Sequence, residues 1–344
     1  MARSSVIQLS RRGVSFRLAF MPAIASLLCA CGCAAVNETI ARQRLVHGAK
    51  LLESDDLDAA LAEFQRAAEI NPRLAVAHSN IGAIYKRKGD YEQAAKSFAE
   101  AVKLNPTSFS DTYQLAQTYY FLRRLPEAIR AYLHACDLDS NSFDAHLNLG
   151  VCYHQAGDLD QAVEFYRKAV ELNPESAFAH SNLGAAYDAQ GKFYEAIHEY
   201  NDSLERDPNQ PMVLVNLSST LIKQERFANA RRVLEMAVKI DPDLALAHGQ
   251  LGYCLFREKK YDEAIASYER ALAIDPKLAE AHAGLGAVRM SQYLTDKSRA
   301  DCRQLAVEHW HRSLELNPDQ PGLRRLVEKY RTRSDDPGTV LLSQ

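Results

Sequence analysis

The chain has 344 residues, 41 of them basic and 44 acidic, with 11 histidines and a net charge near −3. That slight acidity argues against a nucleic-acid partner, which rewards a basic face. A hydrophobic fraction of 47% is ordinary for a soluble helical protein and is ample for a core.

The first forty residues stand apart. Arg3, Arg11, Arg12 and Arg17 all precede the first acidic residue, Glu38. An apolar run from Leu18 to Ala30 follows, broken only by Pro22 and Ser26. It is too short to span a bilayer and suits the core of a secretory signal. Three of the seven cysteines fall in Leu28-Cys29-Ala30-Cys31-Gly32-Cys33. This segment resembles a bacterial lipobox, in which a leucine three before and a small residue just before a cysteine set up its lipidation. Cys31, with Leu28 and Ala30, fits best, and Cys33 is second. Ordinary cleavage after Cys33-Ala34-Ala35 and an uncleaved anchor are the alternatives. The expected layout is a signal over 1–30 and a linker over 31–40. Two or three acyl chains would hold the protein stably on a membrane in the cell envelope. Losing four arginines takes the basic count from 41 to 37 against 44 acidic residues, about −7.

From residue 41 a strict period sets in. Proline stands at 72, 106, 174, 208, 242 and 276, spaced by 34 residues or twice that, and Ser140 takes the one missed beat. With proline at position 32, units begin at 41, 75, 109, 143, 177, 211, 245 and 279. Position 8 is small in all eight units: Gly48, Gly82, Ala116, Gly150, Gly184, Ser218, Gly252 and Gly286. Position 20 is always alanine, from Ala60 to Ala306, and position 24 is aromatic except at Leu234. Positions 4, 7, 8 and 11 share one helical face, and 17, 20, 21, 24, 27 and 28 share another, so each unit is a helix–turn–helix hairpin. Small residues at 8 and 20 let the two helices approach, and the aromatic at 24 fills the space beside them. Gly89, Gly157 and Gly191 mark the turns, and Asn or Asp before proline ends the second helix. The eighth unit, 279–318, carries eight extra residues between Arg289 and Ala306, expected as a longer turn or an extended first helix. Leu323, Leu326, Val327 and Tyr330 then recur at helical spacing, which predicts a capping helix over 319–333 that shields the last apolar face. Residues 334–344 read as a disordered tail.

These residues resemble the tetratricopeptide repeat family. Leu149-Gly150, Tyr153, Ala162, Tyr166, Ala169 and Pro174 match its pattern position for position. The third unit departs at Ala116 and Ser140, the sixth at Ser218, Leu221 and Leu234. The expected fold is all-α, a right-handed superhelical solenoid of about eight helix–turn–helix units plus the cap, because a unit cannot bury its own apolar face alone. The resemblance implies a scaffold that binds other proteins, and with the lipobox it suggests a bacterial lipoprotein.

Catalytic and metal chemistry is not legible. There is no phosphate loop, zinc-protease motif or nucleophile elbow. Histidine recurs at position 4 as His78, His146, His180, His248 and His282; position 4 lies on the packed face, so core packing is expected and no metal or other cofactor. Cys136, Cys152, Cys254 and Cys302 read as small core residues.

Position 6 carries the functional expectation. It reads Asn80, Gln114, Asn148, Asn182, Asn216 and Gln250 in units two to seven. Positions 2, 6, 9 and 13 form the face opposite the packed one, so these amides are expected along an inner wall. A carboxamide both donates and accepts, as an extended peptide backbone requires. The row is similar to the asparagine ladder lining the repeat domain of O-GlcNAc transferase. The alternative is that the amides bond neighbouring helices and stiffen the stack. Tyr113, Phe121, Phe178, Tyr253 and Phe256 add apolar contacts beside them. The sequence therefore predicts a non-enzymatic, membrane-anchored adaptor with protein or peptide partners, for an envelope machine such as a secretin or pilus apparatus, and no small-molecule substrate. A substrate-presenting subunit of a separately encoded transferase, protease or wall-remodelling enzyme is the alternative.

Overall fold

The computed structural model describes residues 21–330, and for 21–35 the backbone only. The first twenty residues of the expected signal and the tail 334–344 lie outside the described residues, as do the side chains of Cys31 and Cys33. The described residues form seventeen helices and no strand. First helices of the hairpins are α1 (Met21–Glu53), α3 (Ala75–Arg87), α5 (Phe109–Phe121), α7 (Phe143–Ala156), α9 (Ala177–Ala189), α11 (Pro211–Lys223), α13 (Ala245–Arg257) and α15 (Ala279–Thr295). Second helices are α2 (Leu57–Ile70), α4 (Tyr91–Leu104), α6 (Leu125–Leu138), α8 (Leu159–Leu172), α10 (Phe193–Arg206), α12 (Phe227–Ile240), α14 (Tyr261–Ile274) and α16 (Ala300–Leu316), followed by α17 (Pro321–Tyr330). These are helix–turn–helix repeats of the kind that build a superhelical solenoid.

One boundary differs from the sequence reading, and at another the structure takes the extended first helix that the reading had left open and lengthens the second helix too. Residues 31–40, expected as a linker, are helical and run without a break into the first hairpin as part of α1. The eight extra residues of the last unit lengthen both of its helices to 17 residues, where the preceding hairpin has 13 and 14.

Each hairpin closes by the same local chemistry. Position 15 takes a positive φ in all of the first seven units: Gly89, Gly157 and Gly191, and also Asp55, Arg123, Glu225 and Lys259. One left-handed residue ends the first helix and turns the chain. Asp56, Asp90 and Asp158 follow at position 16 and accept from the N–H three residues on, capping the second helix. At the far end Asn71, Asn173, Asp207, Asp241 and Asp275 accept from the N–H two residues ahead, an Asx turn that leads the chain into the next unit.

Packing inside a hairpin rests on positions 8, 20 and 24. All eight position-20 alanines are fully buried, and the position-24 side chains from Phe64 to Trp310 are at most 2% exposed. A Cβ placed on Gly48, Gly82, Gly150, Gly184, Gly252 or Gly286 would lie within 3.0 Å of the aromatic ring of its own hairpin, so glycine is what lets that ring lie across the first helix. At position 27 Ser203 and Ser313 donate to the carbonyls of Ala177 and Ala279, each 2.8 Å away, tying the second helix to the start of the first.

The chain divides into two compact units, Met1–Ser140 and Asn141–Gln344. In the first, Ala60, Phe64, Ile81 and Ile84 form one apolar cluster and Ala94, Phe98 and Leu115 another. In the second, a core runs from Leu147 through Tyr166, Tyr200 and Leu234 to Cys254. There α7, α9, α11, α13 and α15 also touch one another in order, so first helices line one side. The unit ends where Val327 of α17 packs against Met290, Val307 and Trp310. Cys136, Cys152, Cys254 and Cys302 are buried free thiols, and burial pushes the first three up to about 12. No helix of the described residues is long and apolar enough to cross a membrane.

Candidate functional site

The first-helix face carries the candidate site, and each compact unit has its own stretch of it. In the first unit a cavity of about 560 Å³ is lined by Asn80, Lys86, Arg87, Gln114 and Phe121 among others. Lys86 is its centre of charge. Its ammonium donates to Gln114 Oε1 at 2.7 Å and Gln117 Oε1 at 2.6 Å and lies over the Phe121 ring at 6.0 Å, and no carboxylate of the described residues pairs with it. Burial pushes it below the usual lysine value. Phe121 is half exposed and stacks on Tyr91 at 4.9 Å. Tyr113 is more committed: its ring packs against Phe109 and Tyr132, and its hydroxyl accepts from Gln117.

In the second unit a cavity of about 630 Å³ opens beside Gln250, with Leu246, Tyr253, Phe256, Tyr268 and Leu278 in its wall. Gly249 and Gly284 make room for it, since they present no side chain there. Gly284 occupies position 6 of the eighth unit, where the amide row stops. Tyr253 accepts from Arg257 Nη1 at 2.7 Å, which fixes its hydroxyl, and its ring meets Phe227 edge-on.

The six amides divide into two kinds. Gln114 is engaged by Lys86. Gln250 accepts from Ser218 Oγ at 2.7 Å and donates to Ser219 Oγ at 2.9 Å, which ties α13 to α11. Those two glutamines stiffen the stack. Asn80 and Asn216 make no side-chain bond within the described residues, Asn216 is exposed, and the Asn182 amide nitrogen is buried with no partner. Asn148 is bonded. Asn80, Asn216 and the Asn182 nitrogen are therefore available, while both glutamines are engaged by the neighbouring helix.

Sequence reading named Phe178, which is 59% exposed, and passed over its companions. Position 2 places Phe178, Met212 and Leu246 on three successive first helices as an exposed apolar stripe beside the amides, with Val76 the equivalent in the first unit. The signal was present, because position 2 shares the face of position 6 and is apolar in each of these units. The histidine column also has a defined partner. His78, His180, His248 and His282 each point Nε2 at the carbonyl of the proline six residues back, at 3.0–3.3 Å. His146, in the unit that follows Ser140, uses Nδ1 and the Ser142 carbonyl instead.

Family models decide the lineage. Four tetratricopeptide repeat models match, over residues 113–177, over 48–89 and 252–292, over 75–108, and over 153–214 and 189–251, and together they take in more than half of the chain. The chain belongs to the tetratricopeptide repeat family. No curated protein sequence matches it. Among solved structures it is similar to the C-terminal part of a tetratricopeptide protein from Cytophaga hutchinsonii, at 17% identity and TM-score 0.60, covering 70% of this chain and 99% of that one. It is also similar to PilF of Pseudomonas aeruginosa, at 21% identity and TM-score 0.51, covering 60% and 94%. The Cut9–Hcn1 hetero-tetramer of the APC/C matches at 19% identity and TM-score 0.55 over 80% of this chain, which spans about half the length of that relative, 53%. At such identities the likeness is one of fold. Tetratricopeptide repeats are interaction scaffolds, and no catalytic family matches this one.

Proposed function

We propose that this tetratricopeptide protein is a non-enzymatic adaptor that holds an extended peptide segment of a partner protein along the first-helix face of its second unit. The observation that carries the reading is the 630 Å³ cavity beside Gln250, flanked by the exposed stripe Phe178, Met212 and Leu246. A peptide laid there buries apolar side chains, which is the main favourable term in association. It also supplies backbone partners for the Asn182 and Asn216 amides, and an unpaired buried donor such as Asn182 Nδ2 costs about 1–3 kcal/mol until it is met. Leu28, Ala30 and Cys31 support an anchored form, lipidated at Cys31 in a bacterial envelope, in which the scaffold presents this face beside a membrane. An envelope assembly such as a secretin or pilus apparatus is the kind of partner that geometry would serve.

The test is selection of binders from a display library of unstructured peptides, followed by titration against variants. Asn182→Ala with Asn216→Ala, and separately Leu246→Asp, are expected to weaken the selected peptide tenfold or more, since each lost hydrogen bond is worth about 0.5–1.5 kcal/mol. Binding unchanged in both variants would place recognition off this face and sink the reading. Mass spectrometry of the membrane fraction checks the anchor, with an acylated N-terminus at Cys31 expected and an intact Met1 or a soluble product beginning at Val36 overturning it.

A further inference from the structure

One member of the histidine column differs from the rest. His180 on α9 and its neighbours Glu199 and Asp202 on α10 bring their ligand atoms within 4.8 Å of one another. His180 Nδ1 is 2.7 Å from Glu199 Oε2 and 4.0 Å from Asp202 Oδ2. His198, one residue before Glu199, brings its own Nδ1 to 3.0 Å from Asp202 Oδ2 and 4.0 Å from Glu199 Oε1. The His180 side chain is 5% exposed, the two carboxylates 17% and 25%, and His198 72%, so the group is closed on the protein side and open at His198.

The tautomer is set by Pro174. Its carbonyl accepts only, and it lies 3.0 Å from His180 Nε2, so that nitrogen carries the hydrogen. A neutral His180 then aims the lone pair of Nδ1 at a carboxylate oxygen. Two lone-pair groups this close need a positive species between them, either a proton or a metal ion. A proton needs one acceptor. Here a second carboxylate and a second imidazole converge on the same point, and a ring whose other N–H is held by a backbone carbonyl is the usual support of a metal-bound histidine. Of the eight repeats only the fifth has carboxylates at both positions 23 and 26 facing a position-4 histidine. The other charged group nearby is Arg206, whose Nη1 lies 4.0 Å from Asp202 Oδ1 and donates to the Asp202 carbonyl. It offsets one negative charge and leaves the other for a cation.

We propose that His180, Glu199, Asp202 and His198 form a divalent transition-metal site, of the zinc class by its nitrogen and oxygen donors, that clips the two helices of the fifth hairpin together. Tetrahedral zinc holds such donors at about 2.0–2.2 Å from the metal and hence roughly 3.3 Å from one another. The pair at 2.7 Å must open slightly and the contacts at 4.0 Å must close, which rotation of the part-exposed Asp202 and His198 side chains permits.

Zinc chloride titrated into the untagged full chain by calorimetry reads the site, and cobalt(II) absorption in the visible reads its donor set. The expected result is one zinc per chain, a melting temperature that rises with zinc concentration, and a cobalt spectrum of low coordination number. Glu199→Gln and Asp202→Asn, both near-isosteric and partly exposed, should each weaken zinc at least tenfold while the zinc-free melting curve keeps its shape. His248→Gln removes a histidine of the same column that lacks the carboxylates and should bind as the parent does. No stoichiometric zinc uptake at micromolar free metal would overturn the proposal. Undiminished binding in the two carboxylate variants would overturn it equally.

Discussion

Glu63 is the residue on which the first unit depends most directly for its response to acid. Its side chain is 7% exposed, with Arg44 at 3.0 Å, Arg66 at 2.7 Å and His47 at 3.5 Å. Burial works to raise its carboxyl, but the hydrogen bond and charge of Arg44, with help from His47 and Arg66, hold it below the usual 4.5. A carboxyl depressed on folding contributes stability that is complete above its unfolded value and is lost as pH falls through the folded one. Glu63→Gln should therefore cost about 1–2 kcal/mol near pH 7. The gap should narrow from about pH 4.5 downward, because the parent then protonates while the variant has nothing to lose. Melting curves of both proteins from pH 7 to pH 3 check this, and parallel curves across that range would refute it. The sequence shows Glu63 as one more helical glutamate. Only the folded hairpin, which brings Arg44 across from the other helix, makes it a buried ion pair.

At the scale of the hairpin, the period gave the helices and the turns gave their ends. Glycine at 89, 157 and 191 announces a left-handed residue, and the same conformation at Asp55, Arg123, Glu225 and Lys259 follows from register alone. A side chain there is strained by about 1–2 kcal/mol relative to the right-handed region, while glycine adds freedom to the unfolded chain. Lys259→Gly should consequently stabilise the seventh hairpin by about 0.5–1 kcal/mol, read as a higher melting temperature. A lower one would mean that the Lys259 stem packs against something worth more than the strain. The helical 31–40 and the lengthened α16, which escaped the sequence, have a common cause. Residues 31–40 carry no proline, and 290–305 carry neither proline nor glycine, so little local chemistry breaks the helix there, and the apolar spacing alone does not say how far it runs.

For each compact unit as a body, the open question is how its end faces are covered. In the second unit α17 is that cover, through Val327 at 4% exposure, the Trp310–Tyr330 ring contact at 6.3 Å, and Arg303 donating to the Tyr330 carbonyl at 2.8 Å. A chain ending at Pro318 should expose Trp310, Val307 and Met290, lower the melting temperature by several degrees and scatter light at concentrations where the full chain does not. A truncated protein as soluble and stable as the parent would make α17 an ornament. The helix itself is marked in the sequence by the spacing of Leu323, Leu326, Val327 and Tyr330. The first-helix face was legible only in part. Its amides and Phe178 could be placed by position number, but whether an amide is spoken for depends on the neighbour it meets in the folded stack. Gln250 touches Ser218 and Ser219 one repeat away, while Asn216, a methylene shorter, makes no side-chain hydrogen bond among the described residues. The His180 cluster was hidden for a similar reason, since its carboxylates lie on a different helix from the histidine.

The close fit of position 8 against position 24 also governs the order in which a repeat of this kind can change its sequence. In the sixth hairpin Ser218 and Leu234 stand where its neighbours have glycine and an aromatic ring, so a larger residue at position 8 goes with a narrower one at position 24. In the fifth, a Cβ on Gly184 would meet Tyr200 at 2.9 Å. Were that hairpin to move toward the sequence of the sixth, trading Tyr200 for leucine first leaves a cavity, a loss the stack can tolerate and a later serine can partly fill. Taking serine first drives a side chain against a ring that has to shift before it fits, as the ring of Tyr132 does opposite Ala116 in the third hairpin. Of two single steps that reach the same pair, one asks only for a gap and the other for a ring that gives way, and the easier direction of travel is set by a few tenths of an ångström.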